Sequence, residues 1–122
     1  MKFNKTILVT GGAGFIGSNL IKHLVKKYPN NLIINLDSLT YAGNLFNLLD
    51  VRNENNYLFV KKDIRNKNEI EQVFNSYNID TVLNLAAESH VDRSIINPNI
   101  FVETNVIGTV NLLNACKQQW SG

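Results

Sequence analysis

One cysteine, Cys116, stands in a chain of 122 residues. An internal disulfide is therefore excluded, and a reducing cytoplasm is the expected compartment. Proline is scarce as well, found only at Pro29 and Pro98. There is no repeat, low-complexity tract or linker, so nothing marks an internal boundary and the chain reads as one domain. Charge of one sign is missing: 12 Lys and Arg face 10 Asp and Glu, and the basic residues are spread along the chain. That balance speaks against nucleic acid or an anionic membrane as a partner. No apolar run exceeds strand length, so no segment is expected to span a bilayer. MKFNK leads straight into a strand rather than a signal-peptide core. His23 has no second ligand at metal spacing, so no metal is expected.

What is present alternates in type. Residues 6–10, 32–36, 57–60 and 81–86 are short apolar runs that predict strands. The last is apolar except for Asn84, whose amide is expected to satisfy local backbone groups. Residues 15–27 carry Ile16, Leu20, Leu24 and Lys27 along one stripe at helical spacing, with His23 and Lys26 opposite. A second helix is predicted over 67–77, presenting Ile70, Val73 and Phe74. Over 100–120, Val102, Val106, Val110, Leu113 and Cys116 recur at roughly helical intervals, which makes Cys116 a packing thiol rather than a nucleophile. Strands without polar alternation, separated by amphipathic helices, predict an α/β doubly wound parallel sheet covered on both faces.

The stretch TGGAGFIGS at 10–18 joins the first strand to the first helix. Its pattern Gly11-x-x-Gly14-x-x-Gly17 fits any tight strand-to-helix turn, and it also fits a dinucleotide site. There the first glycine permits the turn, the second lets a pyrophosphate approach the main chain, and the third lets helix and strand pack closely. N–H groups at the helix start would face the phosphates. A nucleotide-triphosphate loop is excluded, because Ser18 follows Gly17 where that loop requires a lysine. Asp37 lies 20 residues past Gly17, at the end of the second strand. A carboxylate there accepts hydrogen bonds from an adenosine ribose and repels a 2′-phosphate, so NAD is preferred over NADP. Asp63 and Ile64, after the third strand, are placed to meet the adenine edge, although Asp63 alone reads equally as a solvated loop acid. On this reading the glycines are bare because a pyrophosphate lies on them.

TGGAGFIG resembles the extended short-chain dehydrogenase/reductase family. Asp37-Ser38-Leu39-Thr40-Tyr41-Ala42-Gly43-Asn44, the stretch LAAESHVDRS at 85–94 and TNVIGT at 104–109 narrow the resemblance to the dTDP-glucose 4,6-dehydratases. It covers essentially the whole chain and implies a Rossmann-type NAD-binding domain. By that resemblance Phe15 and Ile16 contact the cofactor phosphates, and Asp37, Ser38, Leu39 and Thr40 hold the adenosine ribose. Asp63 and Ile64 meet the adenine. Leu85, Ala86, Ala87, Glu88 and Ser89 line the nicotinamide side, Thr104 reaches the nicotinamide ribose, and Ser89 also bonds the hexose. His90, Asp92 and Arg93 are divided between a site and a buried ion pair. The implied reaction oxidises C4 of dTDP-glucose, eliminates water across C5–C6 and returns the hydride to C6. A homodimer through helices, the last long one included, is implied for the full-length form.

The family's Thr-Asp-Glu stretch and catalytic Tyr-x-x-x-Lys pair are missing, and no Asp-Glu dipeptide occurs. Tyr57 and Lys61 spell the second pattern, but on a strand, where four residues span roughly 13 Å and the lysine cannot tune the tyrosine. Residues 1–122 are therefore expected to be an incomplete NAD(P)-binding domain, inactive alone, with an apolar edge or face exposed. Two alternatives stay open. One is an epimerase or decarboxylase of the same family, against which Tyr41-Ala42-Gly43-Asn44 argues. The other is a non-catalytic dinucleotide-binding module.

Overall fold

The computed structural model describes residues 3–39, 45–86, 99 and 103–121, with backbone alone at 103 and 104. Lys5–Thr10 forms β1, Phe15–Lys27 α1, Asn31–Leu36 β2, Tyr57–Val60 β3, Lys67–Ser76 α2, Thr81–Asn84 β4 and Thr109–Trp120 α3. A short 3-10 turn spans Leu45–Leu48, and a π-helical turn over Glu103–Gly108 runs into α3. The four strands pair in parallel in the order β3-β2-β1-β4, with Leu8 opposite both Ile34 and Val82.

Alternating residues of β1 and β2 feed two separate cores, which is why neither strand shows a polar face. Leu8, Ile34 and Leu36 pack with Ile70, Val73 and Phe74 of α2 and Leu112, Ala115 and Cys116 of α3. On the other side Val9 and Ile33 meet Ile21 and Val25 of α1, joined by Leu48 and Val51. Each such aliphatic side chain contributes about 1.5–3 kcal/mol when fully buried. The doubly wound sheet is thus the one the alternation predicts. Burial raises the pKa of the Cys116 thiol, in keeping with a packing role.

Two predicted faces need correction. The buried face of α1 is Gly17, Ser18, Ile21 and Val25, while Ile16 is 70 % exposed. Gly17 lies against the Gly11–Gly12 turn, where a Cβ would meet the Gly11 carbonyl oxygen at 2.3 Å, and that close approach turns the Gly17, Ser18 and Ile21 side of α1 inward. In α3 the sheet takes Leu112, Ala115 and Cys116, leaving Val106, Val110 and Leu113 exposed. The stripe predicted through Val102, Val106, Val110, Leu113 and Cys116 is in fact two faces from Val106 onward, one of them on the surface, and Val102 lies outside the described residues. Strand β4 also stops at Asn84, before the predicted end at Ala86.

Candidate functional site

At the carboxyl ends of the strands the glycine loop is shaped mostly by the protein itself. Gly11 turns the chain in the left-handed region at φ +69°, where a side chain is strained. A Cβ there would also lie 2.7 Å from the Ala86 nitrogen, so the exit of β4 passes directly over it. At Gly12 a Cβ would strike the Asn35 amide and Ile21, and at Gly17 it would fall 2.3 Å from the Gly11 carbonyl oxygen. Only Gly14 of the four has room: its Cβ would meet nothing nearer than the Gly11 oxygen at 3.5 Å. The expectation that a pyrophosphate explains all the bare positions is therefore corrected. Turn geometry and internal packing explain three of them, and Gly14 is the one that packing leaves without a reason to be bare.

Gly14 is also the N-cap of α1. No side chain caps the N–H groups of the helix start, and no acid sits in its first turn. The amino end of a helix carries partial positive charge and N–H groups without intrahelical partners, a ready anion site. Phe15 is 80 % exposed beside it. Facing the loop, Asp37 is nearly buried, and its Oδ2 accepts the Ala13 N–H at 3.0 Å. Its Oδ1 accepts the Leu39 N–H at 2.7 Å, which holds Leu39 at φ +57°. A carboxylate offers about four acceptor positions, so two remain for a diol.

The crevice floor between β1 and β4 is a side-chain bridge. Thr10 Oγ1 donates to Asn84 Oδ1 and accepts the Ala86 N–H at 3.3 Å, while Asn84 Nδ2 donates to Thr109 Oγ1 at 3.2 Å. The reading that Asn84 serves local backbone groups is thereby corrected: its amide ties β1 to the start of α3. Leu85 and Ala86 are brought against Gly11, next to this floor.

After β3, the Asp63 carboxylate is taken up by Arg65, with Nη2 to Oδ2 at 2.6 Å. Burial alone would raise its pKa, but the hydrogen bonds and charge of Arg65 outweigh that and hold Asp63 below the usual carboxylate value. Ile64 turns its side chain inward, 4 % exposed, where a Cβ on Gly108 would meet it at 2.6 Å. Arg65 was not singled out from the sequence, although Asn66-x-x-Glu69 behind it is a readable helix-start signal: Asn66 caps α2 by accepting the Glu69 N–H at 3.2 Å. Tyr57 and Lys61 lie at and just beyond β3, and the hydroxyl of the half-buried Tyr57 accepts from Asn35 Nδ2 at 3.1 Å. Burial, ahead of its other surroundings, raises the Tyr57 pKa.

Thr40, Ala87, Glu88, Ser89, His90, Asp92 and Arg93 lie outside the described residues, as does the side chain of Thr104, whose backbone is in the π-helical turn. Among the described residues no group of His, Cys, Asp and Glu could hold a metal, and no helix is long and apolar enough to cross a membrane.

A family model described as GDP-mannose 4,6 dehydratase matches residues 8–122. The chain belongs to that family. It is 50 % identical over 115 residues to a dTDP-glucose 4,6-dehydratase of Salmonella typhimurium, covering 94 % of this chain and 32 % of that protein. The chain thus spans about a third of the length of the curated relatives it matches. Among solved structures, a dTDP-glucose 4,6-dehydratase from Streptomyces venezuelae with NAD bound has a TM-score of 0.85 at 44 % identity, covering 93 % of this chain and 36 % of that one. A UDP-glucose 4-epimerase of Thermus thermophilus in complex with NAD gives 0.80 at 33 % identity, covering 93 % and 34 %.

Proposed function

We propose that this chain is the NAD-binding part of a dTDP-glucose 4,6-dehydratase. The observation that carries the reading is the open Cβ position of Gly14 at an uncapped helix start, facing Asp37 across the loop. Space, N–H donors and a carboxylate suit a diphosphate on one side and a ribose diol on the other. Gly11, Gly14, Phe15, Ile16 and Gly17 hold the diphosphate through the loop and the first turn of α1. Asp37, with Ser38, Leu39 and Thr40, holds the adenosine ribose, and Asp63 and Ile64 the base. Leu85, Ala86, Ala87, Glu88 and Ser89 line the nicotinamide, with Thr104 at its ribose and Ser89 at the hexose.

NAD, when bound, supplies the hydride acceptor for oxidation at C4 of dTDP-glucose. The chain's own residues bind and orient it. We read the family's catalytic Tyr-x-x-x-Lys as lying outside these 122 residues, so the chain alone binds without turnover. The greater identity to dehydratases than to the epimerase favours dehydration over epimerisation. The exposed face of Val106, Val110 and Leu113 suits a homodimer in the full-length enzyme, which we place in the cytoplasm.

Calorimetric titration tests the reading. The chain is expected to bind NAD more tightly than NADP, Gly14→Val to abolish binding, and Asp37→Ala to erase the preference. Equal affinity for the two cofactors in the unmutated chain would remove Asp37 from its assigned role, and absence of NAD binding would end the proposal.

A further inference from the structure

The first turn of α1 carries two side-chain bonds converging on one atom. Ser18 Oγ and Asn19 Nδ2 both donate to the Phe15 carbonyl, each at 3.0 Å. A single bond of this kind is the ordinary habit of a serine in a helix. Ser18 is buried on the inner side of α1, where its hydroxyl needs a partner. Asn19 is exposed, so water would satisfy its amide and its own needs do not explain the bond.

The Phe15 carbonyl belongs to the same planar peptide group as the Ile16 N–H, and in a trans peptide the two point in opposite directions. Holding the oxygen therefore fixes the direction of the hydrogen. The helix leaves that hydrogen unspent: its first ladder bond runs from the Ser18 N–H to the Gly14 carbonyl at 2.8 Å, so the Phe15 and Ile16 N–H groups lie ahead of it. Hydrogen bonds in series polarise one another, so donors on the oxygen also make the N–H at the far side of the peptide a stronger donor. Gly14, whose Cβ position is open, sits at this same helix start.

We propose that Ser18 and Asn19 are positioning residues for the diphosphate: by holding the Phe15 carbonyl they aim the Ile16 N–H out of the helix start and strengthen it as a donor. This rests on the dinucleotide reading above. Neither side chain need touch the ligand, because both act through the peptide between Phe15 and Ile16. Helix propensity separates this role from a structural one. Alanine is the best helix former, so Asn19→Ala removes the bond and leaves the helix as stable as before or more so. Threonine is a poorer helix former, but its hydroxyl reaches the carbonyl four residues back.

The test is calorimetric titration of the full chain with NAD, set beside its thermal midpoint. Asn19→Ala is expected to bind NAD about threefold more weakly, and the double variant Ser18→Ala/Asn19→Ala about fivefold, with midpoints equal to or above that of the unmutated chain. Asn19→Thr is expected to lower the midpoint and yet bind NAD as tightly as the unmutated chain. A structural role would move the two quantities together, so affinity that follows the midpoint across these variants overturns the inference. Failure of Asn19→Thr to restore affinity overturns it too. NAD bound equally well by the unmutated chain and the double variant overturns the inference and leaves the dinucleotide reading standing. An unmutated chain that binds no NAD removes that reading and the inference with it.

Discussion

The two ends of the sheet treat their helix termini differently. Helices that return between parallel strands put their carboxyl ends at the amino edge of the sheet and their amino ends at the carboxyl edge. At the amino edge, side-chain amides close the helices: Asn56 donates to the Val25 and Tyr28 carbonyls at 3.0 and 3.2 Å, and Gln119 to those of Phe74 and Tyr77 at 2.6 and 3.1 Å. The Trp120 indole N–H donates to the Ile79 carbonyl at 2.6 Å, and Asp80 accepts the Thr6 N–H at 2.8 Å. At the carboxyl edge α2 is capped by Asn66, yet α1 starts at Gly14 with no side-chain cap, amid the exposed Phe15, Ile16 and Leu85. A protein that closes its helix ends with specific amides at one edge leaves the start of α1 without a side-chain cap at the other. On the dinucleotide reading proposed above, that open start is where the diphosphate sits.

Within the carboxyl edge, Gly17→Ala and Gly14→Ala separate the two roles most sharply. At Gly17 the new methyl falls 2.3 Å from a backbone oxygen that no rotamer change can move. Denaturant unfolding is expected to show a loss of about 3 kcal/mol. At Gly14 the nearest atom is 3.5 Å away and the backbone is extended at φ −74°, ψ 176°, so stability should stay within about 1 kcal/mol while NAD affinity falls. Equal destabilisation by the two substitutions would break the distinction between a packing glycine and a binding glycine.

How much of this was legible depends on the range of each interaction. The bounds of α1 and α2, the four strands and the parallel sheet follow from short-range periodicity. The rotation of α1 did not: a stripe through Ile16, Leu20 and Leu24 competes with one through Ile21 and Val25. Gly17, close against the Gly11–Gly12 turn, decides between them. In α3 both faces are apolar, so only the sheet could select Leu112 and Cys116 over Leu113. The glycine spacing marked the turn at Gly11, the open position at Gly14 and the packing position at Gly17, but not Gly12, which is crowded by Asn35 from far along the chain and by Ile21. Gln119 and Trp120 were unreadable for the same reason, since their partners lie at 74–79. Arg65 grips its neighbour two residues away in a loop, where no periodicity reports it.

The amino edge is tested next. Gln119→Ala strips a donor from the Phe74 and Tyr77 carbonyls and an acceptor from the Ile79 N–H, which Oε1 binds at 2.8 Å. These groups are partly buried, so water replaces the lost bonds only in part, and about 2 kcal/mol of unfolding free energy should go. NAD affinity should stay within twofold, because the substitution is at the opposite end of the sheet from Gly14. A large loss of affinity with little loss of stability would show that the two edges are coupled rather than divided in labour.

The smallest effect belongs to the solvent-open pair at the carboxyl edge. Asp63 titrates below its usual value of 3.8 in the folded chain, because bonds and charge from Arg65 outweigh the cost of burial. A carboxyl with a lowered folded pKa binds its proton more readily unfolded. Its stabilising contribution is therefore complete above the usual carboxylate range and is lost as pH falls through the folded pKa. From pH 7 to about 5 the contribution should be flat, and below about 4 it should decline. Both side chains are more than a quarter exposed, so solvent screens the pair and the contribution stays under about 1 kcal/mol. Unfolding free energies of the unmutated chain and Arg65→Ala, measured from pH 7 down to 2.5, should converge as Asp63 protonates. A gap that stays constant to the lowest pH would mean that Arg65 acts through its aliphatic stem, and that this corner of the carboxyl edge is held by packing rather than charge.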